Sequence, residues 1–303
     1  MIAALLIAGA AIAHATWNIA MKRAGTSGTP FIAATLLVGV IVFAPFGIPA
    51  LVASPPVAEA WPLLVLGSGL LQLAYFLVLQ RGYRLADVGV VYPLARGTGP
   101  LLSVVGAILL LGERPGPLVL AGAALVVAGV VVIGLAGARA RAGAGAPKGS
   151  ESGAEQGSET ASRRWRGIRY GAAVGAIIAA YTLWDAAAVT VAGLEPVGYY
   201  WASMVVQLLV LGPLALRAPA AAAAVVRAHP VAVGLVGVLS PLAYVAVLMA
   251  YQLAPVSIVA PAREVSVVLI ALAGWLLLRE PHPARRIAGS VVVLAGIALL
   301  ALG

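Results

Sequence analysis

The feature that most limits what this chain can fold into is the recurrence, ten times along 303 residues, of an apolar stretch long enough to cross a bilayer. About 20 apolar residues span the hydrocarbon core as a helix, and such stretches fall at roughly 3–21, 30–53, 62–81, 88–110, 117–137, 168–191, 198–216, 230–252, 256–278 and 284–302. Inside lipid every backbone N–H and C=O must be satisfied within the segment, which leaves helices. The sequence therefore predicts an all-α membrane protein with ten transmembrane helices. With 62% hydrophobic and 10% charged residues and a mean hydropathy of +1.06, the chain cannot cover itself with a polar surface. The opening run has the length of a signal peptide, and "AHA" could pass for a cleavage site, but no positive residue precedes it. We expect it to remain as the first span. Residues 138–166 break the pattern, being rich in Gly, Ser and charge, and read as a disordered charged linker.

The sequence on the two sides of that linker repeats at a spacing of 167 residues, with one residue of slippage near Ala86–Ala95. Trp17 of "HATWN" falls on Trp184 of "YTLWD", His14 on Tyr181 and Asn18 on Asp185. "YPLARG" answers "APAREV", which sets Arg96 on Arg263. "LGE" answers "LRE" (Glu113, Glu280), and Gly122 and Gly129 fall on Gly289 and Gly296. Matches of Val, Leu and Ala would carry little weight in an apolar chain; matched Trp, Arg and Glu carry much more. The domains are then 1–137, a first five-helix repeat, and 167–303, a second. Five spans is an odd number, so the second copy enters the membrane upside down, as an inverted repeat.

The basic residues agree. Of nineteen Lys and Arg, sixteen fall in the loops after segments 1, 3, 5, 7 and 9 or at the segment ends that border them, and Arg114 alone falls in the others; Arg96 and Arg263 lie deep inside spans. By the positive-inside rule the odd loops and the linker face the cytoplasm and both termini face outward.

These features together, two five-helix halves, a "HAxWN" first helix and a "GE" or "RE" before the last helix of each half, resemble the ten-helix branch of the drug/metabolite transporter superfamily with its paired EamA-type domains. The resemblance implies export or import of small polar metabolites by alternating access, in the inner (cytoplasmic) membrane of a bacterium. An amino acid or related zwitterion, exported, is the first expectation; a lipid-linked headgroup flippase is the alternative. The second half departs from the pattern, with Tyr181 and Asp185 where the first has His14 and Asn18.

Charge inside a span costs upward of ~2.5 kcal/mol, so an intramembrane ion needs a partner or a wet cavity. The candidates are Arg96, Asp185, Arg263 and Glu264. Arg96 lies about 12 Å into its segment, at 1.5 Å per residue. It either meets Asp185 or Glu264 and locks the fold, or receives a substrate carboxylate or phosphate through a bidentate contact, with Asp185 or Glu264 holding an ammonium or a proton. Pro93, Gly97, Gly99 and Pro100 surround Arg96, so the fourth segment is expected to be the more deformable of the two equivalent ones; Gly97 and Gly99 equally suit close packing.

His14, Trp17 and Asn18 share one helical face, which should point into the bundle. His14 reads as a hydrogen-bonded spacer or a proton carrier, and Trp17 as a cavity or an interfacial residue. Further candidates for the substrate-lined wall are Gln72, Tyr75, Tyr92, Tyr181 and Trp184, with Gln80, Thr98, Tyr244, Tyr251 and Gln252 behind them. Glu113 and Glu280 suit helix N-termini, and Gly122 and Gly129 suit tight helix contact, within the chain or against a second protomer in a homodimer.

Other function classes find little support. The net charge of +9 forms no patch interleaved with exposed aromatics, so nucleic acid is not a partner. There is no cysteine, the histidines are scattered at 14, 229 and 282, and no HExxH, G-x-S-x-G or Walker sequence occurs. No enzymatic activity, cofactor or metal is expected. The expected partners are the lipid bilayer, a small polar metabolite and a coupling proton or ion, with energy from an ion gradient, exchange or the substrate's own gradient.

Overall fold

The computed structural model describes residues 1–25, 28–53, 59–86, 88–144, 153–278 and 283–303. Its helices are α1 (Ile2–Ala24), α2 (Thr29–Ala53), α3 (Trp61–Leu85), α4 (Val88–Leu110), α5 (Pro117–Ala144), α6 (Gly153–Thr190), α7 (Pro196–Leu216), α8 (Pro219–Ala228), α9 (Pro230–Tyr251), α10 (Val256–Ala262), α11 (Val265–Leu278) and α12 (Pro283–Leu302). Ten spans long and apolar enough to cross a membrane occur among the described residues, one for each predicted segment. The short α8 joins the seventh and eighth spans, and α10 with α11 makes the ninth. Within 138–166, residues 138–144 continue α5 and 153–166 begin α6; "ARARAGA" is rich in good helix formers. Glu280 and His282 lie outside the described residues.

Local chemistry sets several ends. α1 stops at Gly25, whose φ of 65° is the left-handed conformation a glycine adopts without strain, and Lys22 and Arg23 occupy its last turn, where cations suit the carbonyl end of the helix dipole. α7 begins at Pro196, and both carboxylate oxygens of Glu195 accept from the free N–H groups of Val197 (3.1 Å) and Gly198 (2.6 Å). Glu113, expected to serve α5 in this way, lies in the turn before it. There its own backbone N–H reaches Ala107 O at 3.1 Å, beside Gly112 at φ 70°.

The chain divides into two compact units, each drawing helices from both sequence repeats: residues 1–73 with 181–259, and residues 74–180 with 260–303. In the first, α1 packs on α9 and α2 on α7 and α9. In the second, α5 packs on α4 and, most extensively, on α12.

The α5–α12 contact shows why the matched glycines are there. A Cβ built on Gly122 would meet Gly296 O at 2.8 Å, and one built on Gly129 would meet Gly289 O at 2.7 Å. Only residues without side chains let the two backbones come this close. Gly122 and Gly129 are the repeat mates of Gly289 and Gly296, so the two contacts exchange under the repeat, and their order makes the helices antiparallel. An inverted pair meeting across its own pseudo-two-fold axis gives this pattern.

The deformable span is the ninth, not the fourth. α4 runs unbroken from Val88 to Leu110 through Pro93 and Pro100. Its glycines are contact points: a Cβ at Gly97 would stand 2.9 Å from Val131, and one at Gly99 would stand 2.8 Å from Ile178. The ninth span breaks at Arg263–Glu264. Pro261 has no N–H to continue the ladder, and the chain tightens instead through bonds of i to i+3 type, Glu264 N to Pro261 O (3.0 Å), Ser266 N to Arg263 O (3.2 Å) and Val267 N to Glu264 O (2.8 Å).

Candidate functional site

Two polar centres lie within the spans, one in each unit. In the second unit Arg96, on α4, reaches Glu264 at the break of the ninth span, with Nη2 to Oε2 at 3.1 Å. Arg263 approaches the same carboxylate from the other oxygen, Nε to Oε1 at 3.9 Å. Glu264 is 2% exposed, Arg96 17% and Arg263 13%. Two guanidiniums thus approach one carboxylate. Arg96 Nε is buried and has no hydrogen-bond partner among the described residues. Tyr92, one turn before Arg96 on the same face of α4, and Tyr75 on α3 are among its neighbours.

In the first unit Asp185, on α6, is fully buried. Its Oδ1 accepts from the Tyr199 hydroxyl of α7 (2.7 Å), and its Oδ2 accepts from the Tyr244 hydroxyl of α9 (2.5 Å) and from Gln72 Nε2 of α3 (3.1 Å). Gln72 also donates to Ser68 Oγ (3.0 Å) and accepts from Gln207 (3.4 Å). Around the acid the rings of Tyr200 and Tyr244 lie 4.7 Å apart and those of Tyr181 and Tyr244 lie 6.1 Å apart. Among the described residues no basic side chain forms an ion pair with Asp185.

The remaining sequence candidates occupy less polar places. Trp184 donates to Leu64 O at 2.8 Å and lies flat on Gly67, where any Cβ would collide with the indole. Its mate Trp17 packs against Phe31, Ala232, Val233 and Val236, though its Nε1 is buried and without a partner among the described residues. Trp17 thus sits where α1 meets α2 and α9, and Trp184 where α6 meets α3. His14 stacks edge-on to Trp17 at 4.8 Å, and Asn18 turns back to donate to His14 O at 2.8 Å. Thr98 and Gln252 bond backbone carbonyls, Leu94 O at 2.7 Å and Val189 O at 3.3 Å.

Sequence reasoning passed over Tyr199, Tyr200, Ser68 and Gln207. Aromatic and small polar residues are ordinary in spans, and the available signal was the adjacent pair in "GYYWAS", one helix along from a lone intramembrane acid.

In sequence the chain matches the EamA-like transporter family over residues 1–135 and 165–302, nearly all of it outside the linker. It belongs to that family. The match falls on the two repeats separately and leaves out the stretch between them. No curated protein matches the sequence. A solved structure described as "Crystal structure of protein" superposes with a TM-score of 0.68 at 20% identity, covering 99% of this chain and 96% of that one. At that identity the likeness speaks for the fold alone. As an EamA-like protein the chain is a membrane transporter of small molecules, and members of this family are transporters, not enzymes.

Proposed function

We propose that the chain is a secondary transporter that carries a small polar metabolite, an amino acid or related zwitterion, by alternating access, with export as the favoured direction. The observation that carries this reading is the interruption of the ninth span at Arg263–Glu264. Discontinuous helices inside the membrane are where transporters meet substrates and ions, because irregular backbone is tolerated there only when it lines a cavity or is buried in protein. At the interruption Arg263 and, from α4, Arg96 approach Glu264, and guanidiniums so placed suit a substrate carboxylate or phosphate held in a bidentate contact. Loops after the odd-numbered spans face the cytoplasm in this reading, with both termini outside.

The test is counterflow in proteoliposomes preloaded with an unlabelled amino acid mixture. Labelled amino acids should accumulate transiently and saturably, and an excess of unlabelled substrate should suppress the signal. Movement of a lipid-linked headgroup alone, with no counterflow of any water-soluble compound, would establish the flippase in its place.

A further inference from the structure

The Asp185 centre contains more than the architecture requires. A carboxylate offers about four lone-pair sites, and the groups that hydrogen-bond to this one are Tyr199, Tyr244, Gln72 and Ser68. All four are neutral, so a charge on Asp185 would have no partner of opposite sign among the described residues. An acid placed so is a liability in a span unless something cationic visits it.

The inverted repeat supplies an internal control. At the 167-residue spacing, Asp185 corresponds to Asn18, Tyr199 to Ile32, Tyr244 to Leu77, Gln72 to Leu239 and Ser68 to Leu235. The equivalent positions, Ile32 and Leu77 in the first repeat and Leu235 and Leu239 in the second, are apolar, and Asn18 satisfies itself on its own helix at His14 O. A fastener demanded by the repeated fold would recur at the equivalent positions. The polar cluster, built from α6, α7, α9 and α3, occurs at one of the two sets, so it answers a need that the repeated architecture does not have.

The surroundings indicate what visits. The Asp185 carboxylate and the lone pairs of the Tyr199 and Tyr244 hydroxyls are acceptors suited to a group that donates several hydrogen bonds in exchange for the neutral donors now there. The rings of Tyr181 and Tyr200 flank Tyr244 and offer aromatic faces to positive charge. We propose that Asp185, Tyr199, Tyr244 and Gln72, with the rings of Tyr181 and Tyr200, form a binding site for a primary ammonium group. Three N–H donors on one nitrogen match these acceptors; a quaternary ammonium has none and would leave them unused. The proposal names the ammonium-bearing class of substrate in the transporter reading and rests on it only for that assignment.

The experiment uses the full chain purified in detergent, titrated with n-butylammonium, tetramethylammonium and sodium chlorides and followed by tryptophan fluorescence, Trp184 being the neighbour of Asp185 in sequence. n-Butylammonium should give a saturable change and tetramethylammonium should bind at least about tenfold more weakly. Asp185→Asn should weaken n-butylammonium about tenfold to a hundredfold, the range for a hydrogen bond to a charged group. Tyr244→Phe keeps the ring and removes one hydroxyl, so it should bind several-fold more weakly; it carries the test if Asp185→Asn does not fold. No saturable response, unchanged affinity in these variants, equal binding of tetramethylammonium, or a response to sodium alone overturns the site. Amine binding by a chain that shows no counterflow would sink the transporter reading and leave the site; counterflow without amine binding would do the reverse.

Discussion

At the scale of single residues, Glu264 stands between two guanidiniums, and the consequence is measurable. Removing one member of a buried ion pair leaves the other charge uncompensated and costs about 3–5 kcal/mol, whereas replacing both by apolar groups of similar size is often neutral. Glu264→Leu takes the carboxylate from both guanidiniums and should lower the melting temperature in detergent sharply, Arg96→Met leaves Arg263 beside Glu264 and should lower it less, and the double variant should recover part of the Glu264→Leu loss. If Arg96 binds substrate as well as Glu264, the recovered double variant should still fail in counterflow; recovery of both stability and transport would reduce the pair to a fastener. Arg96, Asp185, Arg263 and Glu264 were legible in the sequence because a charge within twenty apolar residues is conspicuous. The partner of Arg96 was not, since Asp185 and Glu264 were equally placed to meet it, and choosing between them takes three-dimensional coordinates. The tyrosines around Asp185 were less visible still: in a span, burial, lipid contact and helix packing all select the same aromatic residue.

At the scale of helices, glycine spacing pointed to close contact, and the contacts separate glycines that look alike in sequence. A Cβ on Gly129 would stand 2.7 Å from Gly289 O and 2.7 Å from the backbone nitrogen of Val293, whereas one on Gly234 of α9 would meet nothing within 4 Å. Gly129→Ala should destabilise by roughly 1–3 kcal/mol through overpacking. Gly234→Ala should stabilise by roughly 0.5–1 kcal/mol, the usual gain from replacing glycine inside a helix. Thermal melting of the two variants beside the parent decides this, and equal shifts would mean that α5 and α12 do not meet as described. Span limits were legible to within a few residues because length and hydropathy fix them. The interrupted span was not: prolines and glycines cluster around Arg96, yet α4 absorbs them, its glycines being filled by Val131 and Ile178, while Pro261 next to an Arg–Glu pair opens the ninth span.

At the scale of the whole molecule, the strongest inference from sequence was that two copies of one five-helix pattern face opposite ways. The antiparallel exchange of Gly122–Gly296 and Gly129–Gly289 is the structural form of that inference, legible because residues needed at one end of a pseudo-two-fold contact are needed at the other. Sidedness is a separate matter, set by the distribution of Lys and Arg and not by packing. The chain has no cysteine, so single thiols can be introduced without background. Gly28→Cys, after the first span, and Ala192→Cys, after the sixth, lie in loops that correspond in the two repeats. An impermeant maleimide applied to intact cells should label Ala192→Cys and spare Gly28→Cys until the membrane is permeabilised. Labelling of both from outside would contradict the inversion, since corresponding loops of an inverted repeat open on opposite faces. Labelling of Gly28→Cys alone would keep the inversion and turn the whole molecule over, against the sixteen basic residues that sequence places on the cytoplasmic side.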